Sequence, residues 1–244
     1  ASAGGHGWLL SAQCVSSSMP ATTALIFRSV DGYNWDLLSS VPVVPPPGAA
    51  ACTSPGENTL VNLTDDTGLL LVARCGSDLP LLGWVSTDGG LSWQRHVLPA
   101  AMRGVMPVAV RAGSGPIVLA TGRGGLAMWL NGAGDGKSWT LINIGAKHNS
   151  LILRNKKVNG ASLQYTAEFV QFNATRETTA YNTLRMLGAD NGVMCYDRLS
   201  SSTAMSGGKP SWDGPPGNRD KNDHLFCMRF RLVSTAFRSP KEAA

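Results

Sequence analysis

The sequence has no apolar run approaching the roughly 20 residues that a membrane-spanning helix needs. Its stretch VPVVPPPGAAAC, residues 41–52, is broken by proline. Charge is scarce, with only 15% Asp, Glu, Lys and Arg and no block of like sign. The net charge of +5 is therefore spread thinly, which points away from a nucleic-acid partner and suits an anionic small substrate equally well. No two cysteines make a CxxC pair and their number is odd, so Cys14, Cys52, Cys75, Cys195 and Cys227 outline neither a zinc site nor a full disulfide framework. For Cys52 and Cys75 a bridge between adjacent strands stays open, and two buried thiols are the preferred reading. The N-x-T triplets at Asn62 and Asn173 matter only in a secreted chain and carry little weight. The opening residues, ASAGGHGWLL, have neither the basic start nor the long apolar core of a secretory signal, so the front end is expected to be processed, trimmed or incomplete.

What the sequence does have is glycine, 28 in all, and 43% hydrophobic residues cut into short pieces. TALIFRS, GLLLVAR, LGWVST, MPVAVRA, PIVLATG, LAMWLNG and LFCMRFRLV are of strand length, rich in branched and aromatic side chains, and bounded by turn residues. Helical periodicity is absent beyond about one turn near residues 98–104. The fold class is all-β. Residues 148–178 are expected to form an elaborated strand pair or a loop over one rim. Residues 199–223, rich in Ser, Gly, Pro and charge, read as a mobile surface loop.

Three of the turns are alike. SVDGYNW, STDGGLSW and GDGKSW set Asp31, Asp88 and Asp135 just ahead of a glycine and a tryptophan, 57 and 47 residues apart. A carboxylate can accept the backbone N–H groups that a tight turn leaves unpaired, glycine permits positive φ, and tryptophan packs on the sheet. These aspartates are read as structural. Their period suits a four-stranded unit that must stack on its neighbours, the pattern of a β-propeller.

The spelling SxDxGxSW in STDGGLSW resembles the Asp box of sialidases. Other segments are similar to that family in family order: PGENTLVNLTDDTGLLLVAR (55–74), VLATGRGGLAMWLNGAGDGKSW (118–139) and TTAYNTLRMLGADNGVMCYDR (178–198). The resemblance implies a β-propeller of the six-bladed type, here about four blades plus a closing strand, over residues 1–235 with a tail at 236–244. It implies Tyr181 as catalytic nucleophile, Glu57 as the base that takes its proton, and Arg74 and Arg123 as substrate-binding arginines that clamp a carboxylate. The implied partner is a sialylated glycan or another acidic sugar, the implied setting secreted or lysosome-like, and no metal or organic cofactor is implied. His148 is set aside as a structural residue. One departure stands out: nothing in residues 1–28 resembles the family's first arginine or its acid/base aspartate. Two expectations remain open, a piece of a longer enzyme or a chain without activity. The alternative in a different class is a non-catalytic Asp-box propeller that binds carbohydrate or protein.

Overall fold

The computed structural model describes residues 7–14, 23–43, 56–64, 67–75, 79–113, 115–122, 125–154, 163–172, 181–198 and 224–233. Within it the run Leu69–Ala73 shows how the molecule is assembled, because every residue of it is buried. Successive side chains of a strand leave on opposite faces. Leu69, Leu71 and Ala73 accordingly enter one core, while Leu70 and Val72 enter the next. The run Ile117–Gly122 divides the same way, Ile117 and Leu119 to one side and Val118 and Ala120 to the other. A continuous apolar run here marks a strand in a sheet covered on both faces.

Four antiparallel sheets follow in chain order. The first holds β1 (Trp8–Cys14), β2 (Thr23–Ser29) and β3 (Asp36–Pro42), and the second β4 (Asn58–Asn62), β5 (Leu69–Ala73), β6 (Leu82–Ser86) and β7 (Gln94–His96). The third holds β8 (Val105–Arg111), β9 (Ile117–Gly122), β10 (Ala127–Asn131) and β11 (Thr140–Asn143), and the fourth β12 (Asn182–Met186), β13 (Asn191–Arg198) and β14 (His224–Arg231). Each is a meander in which neighbours in sequence are neighbours in the sheet. The sheets stand in a row like propeller blades, with β1 beside β4, β4 beside β8, and β8 beside β12. Three apolar cores fill the gaps between them. The molecule is thus mostly β, as its composition implies.

The aspartate turns join β2 to β3, β6 to β7 and β10 to β11. Matched on them, β1, β2 and β3 correspond to the second, third and fourth strands of the next two sheets. The segment LFCMRFRLV takes the third place in the fourth sheet, paired with β13 from Asn191↔Arg231 to Arg198↔His224.

Two helices depart from expectation. α1 (Ile144–Arg154) and α2 (Ala167–Val170) lie between β11 and β12, where a strand pair or rim loop is expected, and no helix forms at 98–104. Asn143 caps α1, its Oδ1 accepting the Ala146 N–H at 2.9 Å. The helix escapes a search for apolar periodicity because its buried stripe is only Ile144, Gly145 and His148, so a histidine occupies an apolar position. α2 is a single turn capped by Thr166 and anchored by Phe169. No helix among the described residues is long and apolar enough to cross a membrane.

The cysteines also differ from expectation. Cys195 and Cys227, directly opposite in the β13–β14 ladder, form a disulfide. Cys75 is disulfide-bonded as well, which corrects its reading as a buried thiol, and its partner lies outside the described residues. Cys14 is a free thiol. Asn173, residues 199–223 and the tail at 236–244 lie outside the described residues.

Candidate active site

The meander gives the row of sheets two distinct ends. β4, β8 and β12 all start at one end, and β5, β9 and β13 return to it. The aspartate turns close the opposite end, because β6 and β10 run away from the first. Contacts between sheets fix this alignment: Met106 N–H reaches Glu57 at the first end, and the Thr64 N–H reaches Gly134 O at the other.

Glu57 precedes β4 and Arg74 follows β5, and the hairpin brings them face to face. Arg74 N–H donates to Glu57 O at 2.9 Å, and Arg74 Nη1 donates to Glu57 Oε2 at 2.9 Å. Both side chains are largely buried. The same carboxylate oxygen accepts the Met106 N–H at 2.9 Å. Both donors therefore meet Oε2, and Oε1 accepts no hydrogen bond among the described residues.

Met106 sits where the β8–β9 register shifts, with a φ of +47° that few non-glycine residues adopt. Its carbonyl accepts from Asn182 Nδ2 at 3.1 Å. Asn182 is buried at the start of β12, and its Oδ1 accepts no hydrogen bond among the described residues. Tyr181 comes immediately before it and is 52% exposed. One line of contacts thus runs Arg74, Glu57, Met106, Asn182, across three sheets, and ends beside Tyr181. Arg123 follows β9 and lies outside the described residues. The sequence singles out Glu57, Arg74 and Tyr181 but passes over Met106 and Asn182. A backbone N–H carries no side-chain signature, and a lone Asn at a strand start has none of its own.

The helical insertion covers the fourth sheet at this same end. Tyr165 Oη donates to Asp197 O at 2.6 Å, and Arg198 Nε donates to Gln164 O at 3.0 Å. Below them His148 is buried between Tyr165, Tyr196 and Phe226. Its Nε2–H donates to Leu163 O at 2.9 Å, which leaves Nδ1 to accept the Tyr196 hydroxyl at 3.2 Å. Desolvation first, then the charge of Arg198, hold the imidazole below its ordinary pKa, and burial pushes the Tyr196 phenol up. Both groups are neutral packing elements.

At the far end the three aspartates do turn chemistry. Asp88 accepts from the Leu91 and Ser92 N–H groups and from the Ser92 and Ser86 hydroxyls. Asp31 accepts from the Tyr33 and Asn34 N–H groups, and Asp135 from Lys137 N–H. These bonds hold the Asp31 and Asp88 carboxyls well below the usual range and lower that of Asp135: Asn34 leads for Asp31, the Ser92 hydroxyl for Asp88 and the Lys137 N–H for Asp135. Gly32, Gly89 and Gly136 take φ of +79°, +73° and +76° in these turns. No group of three or more His, Cys, Asp or Glu among the described residues is placed to hold a metal.

No protein-family model matches the sequence, and no curated protein matches it. Among solved structures, the chain is similar to a Hadza microbial sialidase at 15% identity and TM-score 0.46, covering 72% of this chain and 30% of that one. It is similar to a variant of the NanB sialidase from Streptococcus pneumoniae at 15% identity and TM-score 0.47, over 81% of this chain and 28% of that one. It is also similar to Aleuria aurantia lectin, a fungal lectin of six-bladed β-propeller fold with a fucose recognition mode, at 13% identity and TM-score 0.45, over 83% and 57%. The chain therefore spans less than two thirds of each of these three. Its functional reading rests on the geometry of its own site.

Proposed function

We propose that the chain bears part of the active site of a retaining exo-glycosidase that removes terminal α-linked sialic acid, with Tyr181 as nucleophile, Glu57 as its base, and Arg74 and Arg123 as carboxylate ligands. The observation that carries this reading is the line of contacts from Arg74 through Glu57 and Met106 to Asn182, beside Tyr181, at the end opposite the aspartate turns. The chemistry suits these residue types. A sialoside bears a carboxylate on its anomeric carbon, which repels an anionic nucleophile and admits a neutral phenol. Guanidinium groups bind that carboxylate in a bidentate way lysine does not reproduce.

In the first step Glu57 Oε1 takes the phenol proton while Tyr181 Oη bonds to the anomeric carbon and the glycosidic C–O bond breaks. The leaving oxygen needs a proton from an acid that none of these residues supplies. Water then attacks the same carbon and gives up a proton to the conjugate base of that same acid, the phenolate departs, and the Glu57 proton returns to it, so that configuration is retained. Release of a fluorogenic aglycone from a sialoside by the full-length product tests the assignment. Turnover should be lost in Tyr181→Phe with substrate binding kept, and equal rates in the two proteins would remove Tyr181 from the mechanism.

A second reading, a propeller that binds acidic or neutral sugars without cleaving them, is favoured by one specific observation: Arg74 is already engaged with Glu57. On that reading a glycan panel is bound with equal affinity by the natural chain and Tyr181→Phe, and neither turns it over.

A further inference from the structure

The first sheet repeats the face by which the second and third sheets pack against the sheet before them. Ser29, Ser86 and Asn131 open the three aspartate turns and so fix the correspondence. Two residues earlier stand Phe27, Trp84 and Trp129, and opposite these in the ladders stand Leu10, Leu71 and Leu119. Opposite the serine or asparagine itself stand Trp8, Leu69 and Ile117. Leu69, Leu71 and Trp84 lie in the core shared with the first sheet, and Ile117, Leu119 and Trp129 in the core shared with the second. None of these six is more than 6% exposed. Their counterparts Trp8 and Leu10 are 58% and 48% exposed. The ladder adds Leu37 opposite Phe27, and among the described residues of these strands no charged side chain joins them on that face.

A polar latch repeats as well. In the second sheet's turn Gly90 O accepts from Ser39 Oγ of the preceding β3 at 2.6 Å and from Trp93 Nε1 at 3.1 Å. In the third sheet's turn Gly136 O accepts from His96 Nε2 of the preceding β7 and from Trp139 Nε1, both at 2.8 Å. In the first sheet's turn the equivalent Gly32 O accepts from Trp35 Nε1 at 3.3 Å, and no preceding strand donates to it among the described residues.

We propose that this face of the first sheet is the docking surface for one further antiparallel β-blade of the same polypeptide. That blade presents an aliphatic face to Trp8, Leu10 and Phe27, and carries on its outer strand a hydrogen-bond donor for Gly32 O. A second copy stacked head to tail fits poorly. The outward face of the fourth sheet carries Arg185 and Arg229, both exposed and both opposite Val193, four residues from Asp197 on that face, and burying them against Trp8 and Leu10 desolvates two guanidinium groups against apolar side chains. The inference is independent of the catalytic reading.

Hydroxyl-radical footprinting tests it on the protein encoded by the complete reading frame, run beside residues 1–244 alone. Trp84 and Trp129 serve as buried internal standards. The expected result is that Trp8 and Leu10 are labelled freely in residues 1–244, while in the complete protein Trp8 is labelled as slowly as Trp84. Free labelling of Trp8 in both overturns the proposal. Protection that grows with the concentration of residues 1–244 alone also overturns it, since a second copy would then be the occupant.

Discussion

Met106 holds a φ of +47° because both of its backbone groups are fixed from outside its own sheet, the N–H by Glu57 and the carbonyl by Asn182. A non-glycine residue in that region stores roughly 1–3 kcal/mol of strain. Met106→Gly is therefore expected to be tolerated, and Met106→Ile, whose branched Cβ fits that backbone badly, to lower stability by about 1–3 kcal/mol in urea unfolding. His148 makes a second prediction. Its folded pKa is depressed, so its contribution is present above the unfolded pKa of about 6.5 and is lost as pH falls through that value toward the folded one. The urea midpoint should decline on acidification through this window, and His148→Phe should flatten that decline. Glu57, Arg74 and Tyr181 can be named as candidates from the sequence because each belongs to a spelled-out segment. The contacts that pair Glu57 with Arg74 and tie Glu57 through Met106 to Asn182 are not legible there, since an amide donor and a register shift depend on three sheets meeting.

Between elements, the repeated feature is the turn glycine carbonyl that receives the preceding sheet's outer strand. Ser39→Ala and His96→Ala each remove one such bond, Ser39→Ala also the one that Ser39 Oγ accepts from Trp93 Nε1, at an expected cost of about 0.5–1.5 kcal/mol per bond. The two latches join different pairs of sheets, so the double variant should show the sum in urea unfolding, and a marked departure from additivity would mean that the two interfaces are coupled. The Cys195–Cys227 bridge, closing a separation of 32 residues, should contribute about 3–4 kcal/mol, read as the stability lost in Cys195→Ser with Cys227→Ser. Strands in unbroken apolar runs, such as β5 and β9, are legible from composition alone. β1, β3, β7 and β12 are not, because polar side chains interrupt them, Gln13, Arg95 and Arg185 at exposed positions and Ser39 at a partly covered one. α1 is hidden for the related reason that His148 fills the place of a hydrophobe.

At the scale of the molecule, four sheets in a row set catalytic candidates at one end and structural carboxylates at the other. The aspartate turns announce the repeat, and the separation of the two ends follows from the meander, since strands that start together must turn together. The same regularity makes the first sheet's bare apolar face conspicuous, and a sequence cannot display it because Trp8 and Leu10 read as ordinary core residues. The central claim is the proposal that Tyr181 and Glu57 act as nucleophile and base at the site end, where Tyr181 directly precedes Asn182 and Glu57 Oε1 accepts no hydrogen bond among the described residues. A 2,3-difluorinated sialosyl fluoride tests it most directly. Its leaving group departs without a protonating acid, and the fluorine at C3 slows breakdown of any glycosyl–enzyme bond. Mass spectrometry of the digested protein should find the sugar on the peptide that contains Tyr181, and on no peptide of Tyr181→Phe. A sugar carried elsewhere, or no adduct on the full-length product, would contradict the account.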